Sequence, residues 1–111
     1  MSKPLTINIF EEFTDIPGAR YDSEGQFSGK SFLETLLLPR FKEAVGLDAK
    51  LIINLDNGEG YATSFLEEAF GGLTRIFGTE QVLKHLEFIS FDEPLLIEEI
   101  KNYILEAKAA A

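Results

Sequence analysis

The spacing of apolar and polar residues predicts four short strands. Leu5, Ile7 and Ile9 alternate with polar residues, which is typical of a strand with one buried face. The run from Lys50 to Asp56 (KLIINLD) is almost continuously apolar, as in a strand covered on both faces within a parallel sheet, and we take it as the central strand. The remaining two strands are predicted from the turn signals on either side of one segment and from the two aromatic residues in the other. The predicted strands are 5–10, 19–22, 50–56 and 86–91.

Three further segments carry apolar residues at helical spacing. Two of them begin with Ser-Phe-Leu-Glu, at Ser31 to Glu34 and at Ser64 to Glu67, which has the form of a capping box. Pro39 lies inside the first pattern, and we expect a break near Leu38-Pro39 because proline lacks an N–H and clashes with the preceding turn. Asp92-Glu93-Pro94 predicts the start of the third helix, with an acidic cap and a proline at or near the first helical position. The helices are predicted over 31–46, 64–78 and from 94 to a frayed tail near 108–111, with a short helical turn at 79–85.

The order of these elements indicates the fold class. Strand, strand, helix, strand, helix, strand, helix is typical of an α/β domain with right-handed crossovers and helices on at least one face of the sheet. A chain of 111 residues is long enough to bury a core as one domain, here 1–111. Gly71 and Gly72 weaken the second helix unless another element approaches closely, so we expect a contact there.

Composition excludes several classes of function. The chain has no cysteine, which removes thiol catalysis and cysteine-ligated metal sites and is compatible with a cytoplasmic protein. The net charge of -9 repels phosphate backbones and anionic lipids, so we expect neither nucleic acid nor a membrane as a partner. The start of the sequence does not read as a signal peptide, and no apolar run approaches the ~20 residues of a membrane span.

Few residues offer material for catalysis. His85 is the single histidine, and at the boundary between a helical turn and a strand we interpret it as structural. Four adjacent acidic pairs occur, but neighbouring residues point to different faces, so we interpret them as solvated surfaces and helix caps. Nothing supplies a nucleophile together with a base. We therefore expect a non-enzymatic protein without a cofactor or metal.

The turn after the central strand is the best candidate for a functional position. Gly58-Glu59-Gly60 lies at the carboxyl end of that strand, where α/β folds place their functional residues. A nucleotide site is not expected, because Asp56 and Glu59 place negative charge where a phosphate would bind. Asp56 also invites comparison with the phosphoacceptor of receiver domains, with Glu11-Glu12 as their acidic pair. A receiver domain needs five strand–helix units, which is more than the sequence predicts. A receiver-like domain phosphorylated on Asp56 is therefore the alternative hypothesis.

Two hydroxyl groups lie where the second helix begins. Ser64 with Glu67 is a complete capping box and needs no further role. A phosphate is nevertheless electrostatically tolerated at a helix N-terminus, and it would add nearly two negative charges to the surface. Thr63 and Ser64 are therefore the candidate phosphoacceptors.

Two segments of the chain resemble a known family. Ser28 to Phe32 (SGKSF) and Ser64 to Leu73 (SFLEEAFGGL) look like the bacterial STAS-like domain family of unknown function, a relative of sulfate-transporter and anti-sigma-factor-antagonist domains. The resemblance runs roughly from Ile7 to Phe91. It implies a mixed sheet of about four strands, about three main helices packed largely on one side, and a regulatory role in protein–protein interaction.

The resemblance also places individual residues. In anti-sigma-factor antagonists the strand-to-helix turn carries Asp-Ser-Ser-Gly-Leu, whose first serine is phosphorylated by a partner kinase. Thr63 falls on that phosphoacceptor and Ser64 on the second serine, while Ala62 and Phe65 replace the aspartate and glycine. Leu66 matches the leucine. The hydroxyl of the acceptor is thus kept, whereas two residues around it differ.

These observations lead to one functional expectation. The chain is a signalling module that binds a protein partner, such as a histidine-kinase-like ATPase or an anti-sigma factor, and is switched by phosphorylation at the start of the second main helix. No role is assigned to Ser28-Gly29-Lys30-Ser31, and the oligomeric state is not predicted. The expected partner-binding residues are Asp56, Gly58, Glu59, Gly60, Tyr61, Phe65 and Glu68.

Overall fold

Three parallel strands form the sheet of the computed structural model, which describes residues 5–13, 28–56, 61 and 63–107. They are β1 (Leu5–Asn8), β2 (Leu51–Asn54) and β3 (Leu86–Ile89), in the order β1-β2-β3, with β2 central as predicted. The α/β class is confirmed. The strand predicted at 19–22 lies outside the described residues, and the three described strands are all parallel.

In the described ranges, five helical stretches accompany these strands. Two of the longer ones contain a π-helical segment, Leu33–Leu37 in α2 and Glu67–Gly71 in α3. The turn predicted at 79–85 forms a seven-residue helix, α4. Among the described residues, no helix has the length and apolar character needed to cross a bilayer. The helices are α1 (Ile9–Glu12), α2 (29–46), α3 (63–77), α4 (Thr79–His85) and α5 (Leu95–Glu106).

The first strand is shorter than its hydrophobic pattern predicted. β1 ends at Asn8, whose Oδ1 accepts a hydrogen bond from the backbone N–H of Glu11 at 3.1 Å and so caps α1. Glu12 in turn accepts from the backbone N–H of Asn8 at 2.9 Å and pairs with Arg40 at 2.8 Å. The prediction of a strand through Phe10 is wrong because this cap starts a helical turn at Ile9.

The start of α2 also differs from the prediction. The helix begins at Gly29, and its cap is Ser28, whose Oγ accepts from the backbone N–H of Ser31 at 3.0 Å. The capping box expected at Ser31 to Glu34 is therefore wrong. Gly29 is required at this position, since a Cβ there would lie 2.6 Å from the carbonyl oxygen of Phe65 in α3.

Pro39 does not break α2. The backbone N–H of Leu38 bonds to the carbonyl of Leu33, five residues back, so the turn before Pro39 is wider than an α-helical turn. This π-helical segment accommodates the proline ring, which would otherwise clash with the preceding turn. The break expected near Leu38-Pro39 is replaced by a continuous helix.

The core lies on one face of the sheet. Ile7, Leu51 and Ile53 are fully buried there, whereas the alternate residues of the same strands are half-buried or exposed. α2 and α3 pack closely on each other, and a Cβ at Gly72 would lie 2.8 Å from Leu33 Cδ2. The contact predicted at the glycine pair is confirmed at Gly72.

The single histidine belongs to this packing. His85 is buried, and its Nδ1 lies 2.7 Å from the carbonyl oxygen of Ala49, to which it donates a hydrogen bond. The edge of its ring faces Phe41. The structural interpretation of His85 is thus confirmed.

Candidate functional site

The carboxyl ends of the three parallel strands meet at one edge of the sheet. At the end of β2, the Asn54 Oδ1 accepts a hydrogen bond from the backbone N–H of Asp56 at 2.9 Å, which turns the chain out of the strand. The Asp56 side chain then reaches across to the segment that follows β3. This edge is the place where α/β folds carry their functional residues.

Asp56 fixes the loop between β3 and α5. Its Oδ1 accepts the backbone N–H groups of Phe91 at 2.7 Å and Asp92 at 2.9 Å. Ser90 is buried, and its Oγ donates to the carbonyl of Glu93 at 2.7 Å. Because bonds to a carboxylate are stronger than bonds between neutral groups, the backbone of this loop is held in one geometry.

The fixed loop presents two apolar side chains to solvent. Phe91 is 84% exposed and Leu95, in the first turn of α5, is 72% exposed. Asp92, Glu93 and Glu98 lie in the same stretch of chain and are also exposed, so the apolar residues have acidic neighbours. Exposed aromatic and aliphatic side chains of this size are typical of an interface when they are grouped.

Tyr61 joins the end of β2 to the start of α3. Its hydroxyl donates to the carbonyl oxygen of Leu55 at 2.9 Å, and its ring packs against Phe65 with the ring centres 6.4 Å apart. Burial raises the pKa of the Tyr61 phenol, and the nearby negative charge of Asp56 raises it further. Tyr61 is therefore a neutral structural donor at physiological pH.

Thr63, the first residue of α3, connects with α5. Its side chain is exposed and lies near the hydroxyl of Tyr103, which donates to Glu99 Oε1 at 3.1 Å. Burial raises the pKa of Tyr103; the nearby Thr63 opposes this effect and the Glu99 carboxylate adds to it. The hydroxyl predicted to accept phosphate thus contacts a neutral phenol beside a carboxylate.

The other predicted residues fall into different environments. Gly58, Glu59 and Gly60 lie outside the described residues. Ser64 is half-buried in α3, where it is the second residue of the helix, and Glu67 pairs with Arg75 at 2.9 Å.

Phe65 is fully buried among aromatic rings and therefore supports the surface from below without contacting a partner. Glu68 is half-buried, and its Cβ would lie 3.1 Å from a Cβ placed on Gly29. Of the expected contact residues, Asp56 and Tyr61 therefore reach the strand edge, while Glu68 lies at the contact between α2 and α3.

Two chemical roles can be compared with the geometry of the described residues, a metal site and a phosphoacceptor aspartate. Within residues 5–13, 28–56, 61 and 63–107, no group of three or more histidine, aspartate or glutamate side chains is placed to hold a metal ion. Asp56, the proposed receiver phosphoacceptor, already uses one carboxylate oxygen to hold two backbone N–H groups. The geometry gives Asp56 a structural role and does not support the receiver alternative.

Sequence reasoning missed Phe91, Leu95 and Tyr103 as residues of this edge. Phe91 follows Leu86 and Phe88 at an odd spacing, so it falls out of phase with the core-facing side of β3. Leu95 precedes the buried stripe of Leu96 and Ile100 by one position and so points away from the core. The positions of Phe91 and Leu95 outside these two buried patterns were the available signal. Tyr103 and Thr63 lie far apart in the sequence, so nothing in the sequence indicated that they are near each other.

Comparison with known proteins assigns the family. The family model of the STAS-like domain of unknown function (DUF4325) matches residues 28–96, from the cap of α2 to the first turn of α5. Searches of curated proteins and of solved structures returned no significant match. The matched segment is more than half of the chain and contains β2, α3 and β3, which build the strand edge. The chain therefore belongs to the family of STAS-like domains of unknown function.

Proposed function

We propose that this STAS-like domain is a regulatory module that binds a protein partner through the carboxyl edge of its sheet. We call the exposed residues there, Phe91, Leu95, Thr63 and the carboxylates beside them, the carboxyl-edge surface. The observation that carries the proposal is the 84% exposure of Phe91 on a backbone that Asp56 holds in place. Solvent exposure of such a ring is unfavourable in a free protein and becomes favourable when a partner covers it.

The rigid loop is what suits Phe91 to binding. A few large side chains usually carry most of the energy of an interface, and aromatic residues are prominent among them. Ordering a mobile segment opposes binding, and a loop already held by Asp56 and Ser90 avoids that cost.

Charge defines the kind of partner. The chain carries a net charge of -9, and Asp92, Glu93 and Glu98 are exposed next to the apolar residues. A matching partner has an apolar pocket rimmed by Lys or Arg. By the likeness to anti-sigma-factor antagonists, the partner is a histidine-kinase-like ATPase or an anti-sigma factor.

The proposed switch is phosphorylation of Thr63, with Ser64 as the second acceptor. A phosphate on Thr63 would gain from the positive end of the α3 dipole. It would also bring two negative charges toward Tyr103 and Glu99 on α5. The modification thus opposes the packing of α3 against α5 near Tyr103 and changes the surface that the partner covers.

Binding is tested by comparing matched variants of the full chain. Extracts of the source cells are passed over immobilised wild-type protein, Phe91→Ser and Leu47→Ser, and the retained proteins are identified by mass spectrometry. Leu47 is 63% exposed but follows α2, away from the strand edge, and serves as the control. We expect one or more proteins retained by the wild type and Leu47→Ser but lost from Phe91→Ser. Equal retention by all three would refute the interface.

The switch is tested separately. The retained proteins are incubated with ATP and the chain, and the modified residue is located by mass spectrometry in the wild type, Thr63→Val and Ser64→Ala. We expect phosphate on Thr63 and weaker partner binding by Thr63→Glu than by Thr63→Val. Absence of phosphate from both hydroxyls rejects the switch and leaves the binding proposal to stand on the Phe91 result.

A further inference from the structure

A groove of about 570 Å³ runs along the outer edge of β3, with α4 and α5 as its walls. Its lining includes neither Phe91, Leu95 nor Thr63 of the carboxyl-edge surface and extends along the body of β3 and the length of α5. Three features of its lining indicate what would bind there.

The first feature is an open strand edge. Ile89 directs its carbonyl toward β2, where it accepts the N–H of Leu55 at 2.8 Å. Backbone polar groups alternate in direction along a strand, so Phe88 directs its N–H and carbonyl away from β2. Within the part of the chain that the structure describes, no strand pairs with this edge of β3. Such an edge is a template for an added strand.

The second feature is a row of residues on α5 that has an apolar side chain on each side of Lys101. Leu96, Ile100 and Ile104 form the stripe that enters the core. Ile97, Lys101 and Leu105 follow the same spacing one position later and line the groove. Leu105 is 49% exposed, and Leu83 on the opposite wall is 38% exposed. The walls therefore offer apolar surface that the core does not use.

The third feature is local positive charge in an acidic protein. The charged side chains of the lining are Lys50, Lys101 and Glu87, and Glu87 is already paired with Lys50 at 3.5 Å. No ion pair joins Lys101 to another described residue. Since salt screens charges beyond about 8 Å at physiological ionic strength, a ligand in the groove interacts with two lysines and one carboxylate of the lining more than with carboxylates farther away.

We propose that this groove binds an extended peptide segment of another protein, which adds to the sheet as a strand beside β3. The main chain of the peptide bonds to the outward N–H and carbonyl of Phe88. Its apolar side chains pack between Leu83 and Leu105, and an aspartate or glutamate pairs with Lys101. This is the strand-addition mode of peptide recognition, in which backbone bonds give affinity and side-chain pockets give selectivity.

The proposal is tested with a random twelve-residue peptide library displayed on phage and selected on the full chain. We expect enrichment of sequences with alternating apolar residues and a carboxylate. A synthetic peptide with the enriched sequence is then titrated by fluorescence anisotropy. Lys101→Glu should raise its Kd about tenfold or more, corresponding to the loss of one ion pair and its reversal. Lys42→Glu makes the same charge change on an exposed lysine of α2 and should leave the Kd unchanged.

Apolar contact has its own pair of variants. Leu105→Ser should weaken the peptide, whereas Leu47→Ser, which removes a more exposed leucine outside the groove, should not. Both leucines are exposed enough for the variants to fold, which circular dichroism confirms. If the library yields no enrichment, or if the enriched peptide binds Lys101→Glu and Leu105→Ser as it binds the wild type, the proposal is wrong.

Amide hydrogen exchange and self-association distinguish a bound peptide from two other occupants of the groove, another segment of the same chain and a second copy of the chain. The exchange of the Phe88 N–H, followed by NMR, should slow when the peptide is added. Slow exchange of this N–H in the free chain would show that another segment of the same chain covers the edge. Self-association that Lys101→Glu abolishes would assign the groove to a second copy, and either result overturns the proposal.

Discussion

Asp56 shows how a carboxylate at the end of a strand can fix the loop that follows the neighbouring strand. Its position after an apolar strand predicts a surface carboxylate, and the structure instead directs one oxygen to the backbone N–H groups of Phe91 and Asp92. Asp56 is therefore a positioning residue, and Phe91 is the side chain that it positions.

Replacing Asp56 tests this role. Asp56→Ala leaves two backbone N–H groups without their acceptor, and we expect a loss of about 1–3 kcal/mol in the free energy of unfolding, measured in urea. Asp56→Asn keeps a neutral acceptor and should lose less. Glu43→Ala, an exposed carboxylate on α2, is the control.

A second measurement on the same variants locates the effect. Hydrogen exchange of the Phe91 and Asp92 N–H groups should accelerate in Asp56→Ala and not in Glu43→Ala. Equal stability and equal exchange in the two alanine variants would show that the loop is held by other contacts.

At the scale of elements, the contact between α2 and α3 depends on glycine. A Cβ on Gly29 would meet the carbonyl oxygen of Phe65 at 2.6 Å, which is backbone and cannot move aside alone. We expect Gly29→Ala to destabilise the protein by about 1–3 kcal/mol, as overpacking does.

Gly46 provides the matched control for that substitution. It ends α2, and a Cβ there would meet nothing within 4 Å. Gly46→Ala should therefore be neutral or stabilising by up to about 1 kcal/mol, because alanine is the better helix former. Thermal unfolding of both variants gives the comparison, and similar melting temperatures would contradict the close contact at Gly29.

The elements were predictable where one local pattern decided them. The apolar run of β2 is typical of a buried strand, and it correctly predicted the central strand. The capping box predicted that α2 begins at Ser31, whereas the structure caps the helix with Ser28. The choice of Ser28 depends on the approach of Phe65 to Gly29, which no local pattern contains.

The candidate site was predictable in place more than in detail. Parallel strands put their carboxyl ends at one edge, so the sequence places Asp56 at that edge, and there it contacts the loop after β3. The same argument cannot distinguish a buried Phe65 from an exposed Phe91, since that distinction is set by how α3 and the last loop pack.

At the scale of the whole molecule, the net charge of -9 affects how fast a partner arrives. A partner rimmed by Lys or Arg is attracted over distances that salt screens. With the partner retained by the wild-type chain, we expect the association rate to fall about tenfold or more between low salt and about 0.5 M NaCl, measured by stopped-flow fluorescence.

The dissociation rate of the complex should respond to salt differently from its association rate. Salt should change it less than the association rate, while Phe91→Ser should change it more, because the aromatic contact forms after the encounter. An association rate that is independent of salt would remove the basic rim from the description of the partner.

The π-helical segments of α2 and α3 have a consequence for how the two helices meet. Buried or half-buried apolar residues recur in α3 at strict intervals of four, at positions 65, 69, 73 and 77. In a helix of 3.6 residues per turn, a stripe with a residue at every fourth position rotates around the helix axis by about 40° per interval. Three intervals would therefore rotate it by about 120°. The wider turn at Glu67–Gly71 removes part of that rotation, as the turn at Leu33–Leu37 does for α2. Apolar residues at intervals of four therefore stay in a nearly straight row on each of the two helices. Straight rows let Gly29 meet Phe65 and Leu33 meet Gly72 along the same pair of helices.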